Sequence, residues 1–153
     1  MYYYHRQKDV RTDFDMIQRE VADILEITPQ QYQLYESGKR EIPMHLMIIL
    51  ADYYGVPIDY LAGRSDSDYS EHITKAQPDS PRLYHKIRDI REDHDMPQRE
   101  IATVLEITPQ QYQLYESGKR EMPMHLFIKL AEYYEVTIDY LVGRDKRSIF
   151  DNI

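Results

Sequence analysis

The stretch LEITPQQYQLYESGKRE occurs twice in this chain, at Leu25–Glu41 and again, unchanged, at Leu105–Glu121. A shift of 80 positions aligns Tyr4–Arg64 with Tyr84–Arg144 without a gap, and 44 of the 61 aligned pairs are identical. All 17 differences fall outside the repeated segment, although differences scattered at random would seldom spare so long a run. The chain therefore contains two sister domains in tandem, with a shared constraint on this segment.

The duplication divides the 153 residues into four parts. We predict a first domain at 1–64 and a second at 82–144. The connector 65–81 is polar, contains two prolines and has no sustained apolar period, so we expect a linker that spans roughly 20–25 Å. Residues 145–153 are predicted to form a short tail.

Apolar residues within each repeat recur at helical spacing and do not alternate as they do in a strand. In the second copy, Ile101 and Leu105 lie one helical turn apart. Thr108 followed by Pro109 is typical of a helix start, because the hydroxyl caps free N–H groups and proline fits the first turn. Gly118 is typical of a helix end. We predict an all-α fold with five short helices in each repeat.

Composition argues against several classes of function. The absence of cysteine excludes disulfides, thiolate catalysis and cysteine-bound zinc. The six histidines show no close ligand spacing, and there is no HExxH motif or glycine-rich phosphate loop, so we expect no metal, no cofactor and no enzymatic activity. No apolar run is long enough to span a membrane, and the start MYYYHRQK lacks the apolar core of a signal peptide. We therefore expect a cytoplasmic protein.

The net charge of −8 at first argues against a nucleic-acid partner. Its distribution weakens that argument, because both repeats are only mildly acidic and the connector is the most acidic part for its length. Acidic domains still bind DNA if their acids face away from it. Few cations per repeat then predict modest non-specific affinity.

The segment MPQREIATVLEITPQQYQLYESGKREMPMHLFIKLAEYYEVTIDYLVGR resembles the Xre/Cro-type (phage-repressor-like) helix-turn-helix DNA-binding family. The marks are Gln98 at the start of the second helix, Ala102 in its middle, ESGKRE after the third helix, and the ending LAEYYEVTIDYLVGR. The first repeat carries the same marks at Gln18, Ala22, Glu36–Glu41 and Leu50–Arg64. The resemblance implies two tandem five-helix lambda-repressor-like domains joined by a polar linker.

The resemblance places a recognition helix at Pro29–Ser37 and at Pro109–Ser117. Such a helix lies in the major groove with residues near its N-terminus against base edges. A glutamine amide suits adenine N6 and N7, whereas leucine and proline offer apolar contact to a thymine methyl. The implied base-contacting residues are Pro29, Gln30, Gln31, Gln33 and Leu34, with Pro109, Gln110, Gln111, Gln113 and Leu114 in the second repeat.

The resemblance also implies contacts that fix each domain on the DNA backbone and within itself. Side-chain donors and helix-end amides beside the recognition helix bind phosphate. The implied phosphate-contacting residues are Gln18, Arg19, Ser37, Lys39 and Arg40, with Gln98, Arg99, Ser117, Lys119 and Arg120 in the second repeat. Two structural ion pairs, Arg11 with Glu36 and Arg91 with Glu116, are implied to join the first helix to the end of the third.

Four tyrosines of the repeated segment fall on the inward side of the recognition helix. They are Tyr32 and Tyr35 and their counterparts Tyr112 and Tyr115. Aromatic residues at helical spacing belong to the core more often than they stack on bases. We predict that all four are buried.

Two positions depart from the family pattern in both repeats. The residue before the glutamine of the second helix is Ile17 or Pro97, where Ser or Thr is usual. Glu26 or Glu106 stands at the turn where glycine is common. Neither departure prevents a helix-turn-helix.

The fourth helix differs between the copies, since Ile49 stands where the second repeat has Lys129. The run MIIL makes this helix of the first repeat apolar on nearly every side, and such a helix usually faces a partner. We therefore predict a homodimer or interdomain contact around Met47 and Ile49.

Together these observations predict a sequence-specific double-stranded DNA-binding transcriptional regulator, in particular a repressor, that reads two similar half-sites through the major groove. Half-sites of this kind lie about one helical turn, ~34 Å, apart. The alternative is a protein-interaction module with weak or no DNA binding, which the acid excess and the apolar fourth helix favour. In a mixed case, only the second domain binds DNA.

Overall fold

A computed structural model describes residue 4 and residues 6–74 and 85–145. Residues 75–81 of the predicted linker and 146–153 of the predicted tail lie outside the described residues. The chain divides into two compact units, Met1–Glu71 and His72–Ile153. Residues 72–74 thus belong to the second unit, where Ile73 forms an isolated antiparallel bridge with Asp145.

Each unit contains five α-helices in its described part, which confirms the all-α prediction. In the first unit these are α1 (Arg6–Asp13), α2 (Gln18–Leu25), α3 (Pro29–Glu36), α4 (Met44–Tyr54) and α5 (Ile58–Leu61). In the second unit they are α6 (His85–Asp93), α7 (Gln98–Leu105), α8 (Pro109–Glu116), α9 (Met124–Tyr134) and α10 (Ile138–Leu141). None of these helices has the length and apolar character that crossing a membrane requires.

The turn between α2 and α3 is set by residues at the two helix ends. The Thr28 hydroxyl accepts a hydrogen bond from the Gln31 N–H at 3.1 Å, and Pro29 occupies the first turn of α3. Glu26 ends α2 in the left-handed conformation with φ of 57°, and Glu106 ends α7 with φ of 60°. The two glutamates therefore adopt the backbone for which glycine is common at this turn, at some cost in strain.

The start of α2 lacks the usual Ser or Thr cap and is stabilised from inside the helix. The Glu20 carboxylate accepts a hydrogen bond from the Ile17 N–H at 3.0 Å. A carboxylate in the first turn also interacts favourably with the positive end of the helix dipole. The departure from the family pattern at Ile17 therefore leaves α2 intact.

In each unit, the core lies between the second and third helices and the other helices of that unit. The second and third helices are α2 and α3 in the first unit and α7 and α8 in the second. All four tyrosines of the repeated segment are buried, at 0% exposure for Tyr32 and Tyr112 and 4% for Tyr35 and Tyr115, which confirms the prediction. Because their rings pack into the core, the opposite face of α3 and of α8 lies toward solvent. Burial of the tyrosines therefore decides which side chains of these helices can contact a ligand.

The prediction that Met47 takes part in a contact surface on α4 is wrong. Met47 is fully buried in the core of the first unit, whereas Ile49 is 38% exposed. Residues two apart on an α-helix lie about 200° apart around its axis, so Met47 and Ile49 point to opposite sides. Of the two, only Ile49 remains available to a partner.

Gln7 is a buried polar residue in the apolar core of the first unit. Its side-chain oxygen and nitrogen both lack a hydrogen-bond partner among the described residues. The equivalent residue of the second unit is the fully buried Ile87. An unsatisfied buried amide costs stability, which an apolar residue of similar size does not.

Replacing Gln7 by isoleucine is expected to stabilise the first unit by about 1–3 kcal/mol, because it removes the unsatisfied amide. Differential scanning calorimetry of the full chain measures this as a rise in the melting temperature of one transition. The reverse change in the second unit, Ile87→Gln, is the matched control and is expected to lower the other transition. A lower melting temperature for Gln7→Ile would contradict the reasoning.

Candidate nucleic-acid interface

The two predicted recognition helices present the same solvent-facing side chains. In α3, Pro29, Gln30 and Gln33 are exposed and Leu34 is half-buried. The equivalent residues of α8, which are Pro109, Gln110, Gln113 and Leu114, have the same burial. Gln30 and Gln33 make no side-chain hydrogen bond with the described residues, so both amides are free for a ligand.

Gln31 differs from its two neighbouring glutamines because its amide is already engaged. Its Nε2 donates a hydrogen bond to the Tyr35 hydroxyl at 3.0 Å, and Gln111 does the same to Tyr115 at 3.1 Å. Both glutamines are half-buried. From the sequence, Tyr35 is predicted as a core residue and not as a hydrogen-bond partner of Gln31. A Gln–Tyr pair at spacing i, i+4 nevertheless places both side chains on one helix face.

A bidentate ion pair ties the end of α3 to α1. Arg11 donates from Nη2 to Glu36 Oε1 at 2.8 Å and from Nε to Oε2 at 2.9 Å. Its third contact is a hydrogen bond to the carbonyl of Met16 at 2.8 Å. The second unit repeats the pair between Arg91 and Glu116 with distances of 2.8 and 2.9 Å. Two parallel bonds of this kind fix the orientation of the helix that carries the carboxylate.

Burial and hydrogen bonding act in opposite directions on Glu36. Burial by itself raises the pKa of this carboxyl, but the hydrogen bonds donated by Arg11 and Gln18 outweigh it and hold the pKa below its ordinary value. The same balance lowers the pKa of Glu116 beside Arg91. Both glutamates are therefore ionised at neutral pH, as their ion pairs require.

The predicted phosphate-contacting Gln18 has a second role in the structure. Its Nε2 donates to Glu36 Oε1 at 3.2 Å, and Gln98 makes the same bond to Glu116. The carboxylate at the end of the recognition helix thereby holds the first residue of α2 or α7. Ser37 and Ser117, also predicted at phosphate, donate instead to the carbonyls of Leu34 and Leu114.

Three exposed cations at the predicted phosphate positions of each unit are unpaired among the described residues. Arg19 lies in the first turn of α2, and Lys39 and Arg40 follow the end of α3. Arg99, Lys119 and Arg120 hold the equivalent positions in the second unit. Most other described arginines bind carboxylates, for example Arg64 to Asp59 and Arg144 to Asp139. The cations predicted at phosphate are therefore free to neutralise one.

Comparison with known proteins identifies the family of this arrangement. The profile of the helix-turn-helix family HTH_3 matches twice, at residues 8–61 and 87–141. The chain belongs to the helix-turn-helix family. This membership confirms the Xre/Cro-type resemblance, and the two matched ranges correspond to the two copies of the duplication.

Two relatives of this helix-turn-helix protein carry regulator names. It is 32% identical over 98 residues to the cryptic phage CTXphi transcriptional repressor RstR of Vibrio cholerae. The aligned region covers 64% of this chain and 78% of RstR. It is 28% identical over 58 residues to YobD of Bacillus subtilis, an uncharacterized HTH-type transcriptional regulator, covering 38% of this chain and 52% of YobD. A transcriptional regulator from Listeria innocua of known structure is 25% identical, with a TM-score of 0.38, and the match covers 41% of this chain and 59% of that one.

Proposed function

We propose that this helix-turn-helix protein is a sequence-specific regulator of transcription, in particular a repressor, that binds double-stranded DNA and reads two similar half-sites through the major groove. The observation that carries the proposal is the pair α3 and α8, which have one sequence, one N-terminal cap and one exposed face. Family membership and the regulator names of RstR and YobD support the DNA-binding part of it.

In this proposal, each recognition helix reads bases through its exposed N-terminal half. Gln30 and Gln33 supply donor and acceptor groups for base edges, and Pro29 and Leu34 supply apolar contact. The Arg11–Glu36 pair holds the helix at the correct angle without touching DNA. Two domains in one chain raise the effective concentration of the second contact, so modest binding by each domain becomes strong binding overall.

The contribution of phosphate contacts is tested by the salt dependence of binding. If all six cations at the predicted phosphate positions bind phosphate, the plot of log K against log salt has a slope of about −5. Replacing Lys39 and Lys119 by alanine is expected to reduce that slope by about 2, since two contacts are lost. Fluorescence anisotropy with a labelled duplex measures the slope.

The matched control for this measurement replaces Lys8 and Arg88 by alanine. These residues occupy equivalent exposed positions on α1 and α6, outside the predicted interface, and the change in net charge is the same. Their replacement is expected to leave the slope unchanged. Equal effects of the two double variants would show that binding follows net charge and not the proposed contacts.

A second function, self-association, is favoured by an apolar patch on the first unit. The patch consists of Phe14 (47% exposed) and Tyr53 (50%), which both pack against the ring of Tyr54, and of Ile49 (38%), which lies one helical turn before Tyr53. Ile17 (50%) is exposed three residues after Phe14. Three of these residues correspond to more polar or less exposed ones in the second unit: His94, Pro97 and Lys129. Lys129 also binds Glu106 at 3.2 Å, a pair that Ile49 cannot form with Glu26. We propose that this patch carries a homodimer contact.

Replacing Ile49 by lysine is expected to convert a dimer of the full chain to a monomer, because a charge in an apolar contact is costly to desolvate. Sedimentation velocity of wild type and variant at equal concentration measures the change. The reverse replacement in the second unit, Lys129→Ile, is the control and is expected to increase association. An unchanged mass for Ile49→Lys would contradict the proposed contact.

A further inference from the structure

Both recognition helices contain a hydrogen bond from a glutamine amide to a tyrosine hydroxyl. It joins Gln31 to Tyr35 in α3 at 3.0 Å and Gln111 to Tyr115 in α8 at 3.1 Å. The accepting ring is an immobile anchor, because Tyr35 and Tyr115 are each only 4% exposed. The start of each glutamine is also fixed, since its own N–H is bound by the capping hydroxyl of Thr28 or Thr108. Each glutamine is therefore held at both ends, at its backbone N–H by the threonine and at its side-chain amide by the tyrosine hydroxyl.

The hydrogen bond to the tyrosine hydroxyl decides where the amide lies. A glutamine amide has two N–H groups and one oxygen acceptor. In Gln31, one N–H goes to Tyr35, which leaves the second N–H and Oε1 side by side, and Oε1 accepts no hydrogen bond from the described residues. A free glutamine can turn its amide by half a turn and exchange donor and acceptor. Gln31 can do so as well, because the Tyr35 hydroxyl can donate to Oε1 in place of accepting from Nε2. The bond therefore fixes the position of the amide, and one N–H and one oxygen face outward in either orientation.

We infer that Tyr35 and Tyr115 are positioning residues that fix Gln31 and Gln111 to select adenine in each half-site, an inference that rests on the proposed function. Adenine offers the N7 acceptor beside the N6 donor in the major groove, which matches an amide N–H beside an amide oxygen. Guanine offers two acceptors, N7 and O6, so the amide oxygen would oppose one of them in either orientation. An amide held in one position thus favours adenine over guanine at one base pair.

Pre-organisation separates this glutamine from the other two on the same helix. Gln30 and Gln33 are exposed and make no side-chain hydrogen bond with the described residues, so each loses conformational freedom when it binds a base. Gln31 has already lost that freedom in the unbound protein. Its contribution to discrimination depends on the Tyr35 hydroxyl, and the two side chains act as one reading unit.

The test is the double variant Tyr35→Phe with Tyr115→Phe, which removes the hydroxyls and keeps both rings. It is titrated by fluorescence anisotropy against the duplex that the wild-type chain selects and against duplexes with single base-pair changes. Discrimination of adenine from guanine is expected to fall about three- to tenfold at one position in each half-site, the loss of one net hydrogen bond. Discrimination at the other positions is expected to persist.

The single variant Tyr35→Phe supplies an internal control, because α8 keeps its hydroxyl and one half-site should then remain unchanged. Gln31→Ala with Gln111→Ala is expected to lose discrimination at the same position. Unchanged base preferences in the double tyrosine variant, or equal weakening at every position, would overturn the inference and leave the proposed function standing. Failure of the wild-type chain to select any motif would overturn the proposed function, and this inference with it.

Discussion

Replacing Glu116 by glutamine is expected to destabilise the second unit by about 3 kcal/mol. Glu116 and Arg91 keep only 5% and 12% of their side-chain surface exposed, so the variant leaves a largely buried guanidinium without its counter-charge. Breaking a buried pair from one side is costly even where the intact pair adds little. A domain of about 60 residues has a total stability of roughly 3–9 kcal/mol, so this loss is severe.

Differential scanning calorimetry of the full chain is the measurement. One transition is expected to shift down by more than ~10 °C in Glu116→Gln, and the equivalent Glu36→Gln should shift the other. The control is Arg88→Ala, which breaks the ion pair between Arg88 and Glu92. These two residues keep 66% and 52% of their side-chain surface exposed. That control is expected to leave both transitions almost unchanged. A shift in Glu116→Gln no larger than in the control would contradict a structural role for the pair.

The lowered pKa of Glu116 gives the same interaction a pH signature. Its folded pKa lies below its ordinary value of 4.5, so folding favours the ionised carboxylate. The stabilisation is complete above pH 4.5 and is lost as the pH falls through the folded pKa. The gap in melting temperature between wild type and Glu116→Gln is therefore expected to be widest near neutral pH and to narrow below pH 4.5.

Replacing Gln30 and Gln110 by alanine is expected to reduce affinity for the selected site roughly 10²-fold or more, because each bidentate glutamine–base pair contributes about 1–3 kcal/mol. Both side chains are exposed and make no side-chain hydrogen bond with the described residues, so the fold should keep its melting temperature. Non-specific binding depends on the cations, which the variant retains. The loss should therefore concern sequence preference alone.

Anisotropy titrations with two duplexes separate these effects. One duplex carries the selected site and the other a scrambled sequence of the same composition. The double variant is expected to bind the selected duplex roughly 10²-fold more weakly than wild type does and the scrambled duplex equally well, with the wild-type salt slope. Retention of the wild-type preference would exclude Gln30 and Gln110 as base readers. Equal loss on both duplexes would indicate that the variant damages binding in general.

Much of the fold could be predicted from the sequence because each local signal agrees with the tertiary structure. Thr28 followed by Pro29 starts α3 where the cap and the first-turn proline predict it. The tyrosines at helical spacing are buried, since an aromatic stripe on a short helix needs a core to cover it. The duplication added a second, independent copy of every such signal.

The remaining features depend on which side of a helix a residue faces and on what lies opposite. Met47 and Ile49 both belong to an apolar run, and only helix geometry shows that one is buried and the other exposed. Gln30 and Gln31 are adjacent and chemically identical, yet only Gln31 meets a tyrosine hydroxyl. The unsatisfied amide of Gln7 likewise appears only when its surroundings are known.

Selection from a random duplex DNA library, at two salt concentrations, measures whether the chain reads two like half-sites. Bound sequences are expected to contain one short motif twice, at a fixed spacing, because α3 and α8 present the same side chains. Enrichment of a single copy would contradict the two-half-site reading and leave one unit as the DNA reader. No enrichment at either salt concentration would contradict sequence-specific DNA binding itself.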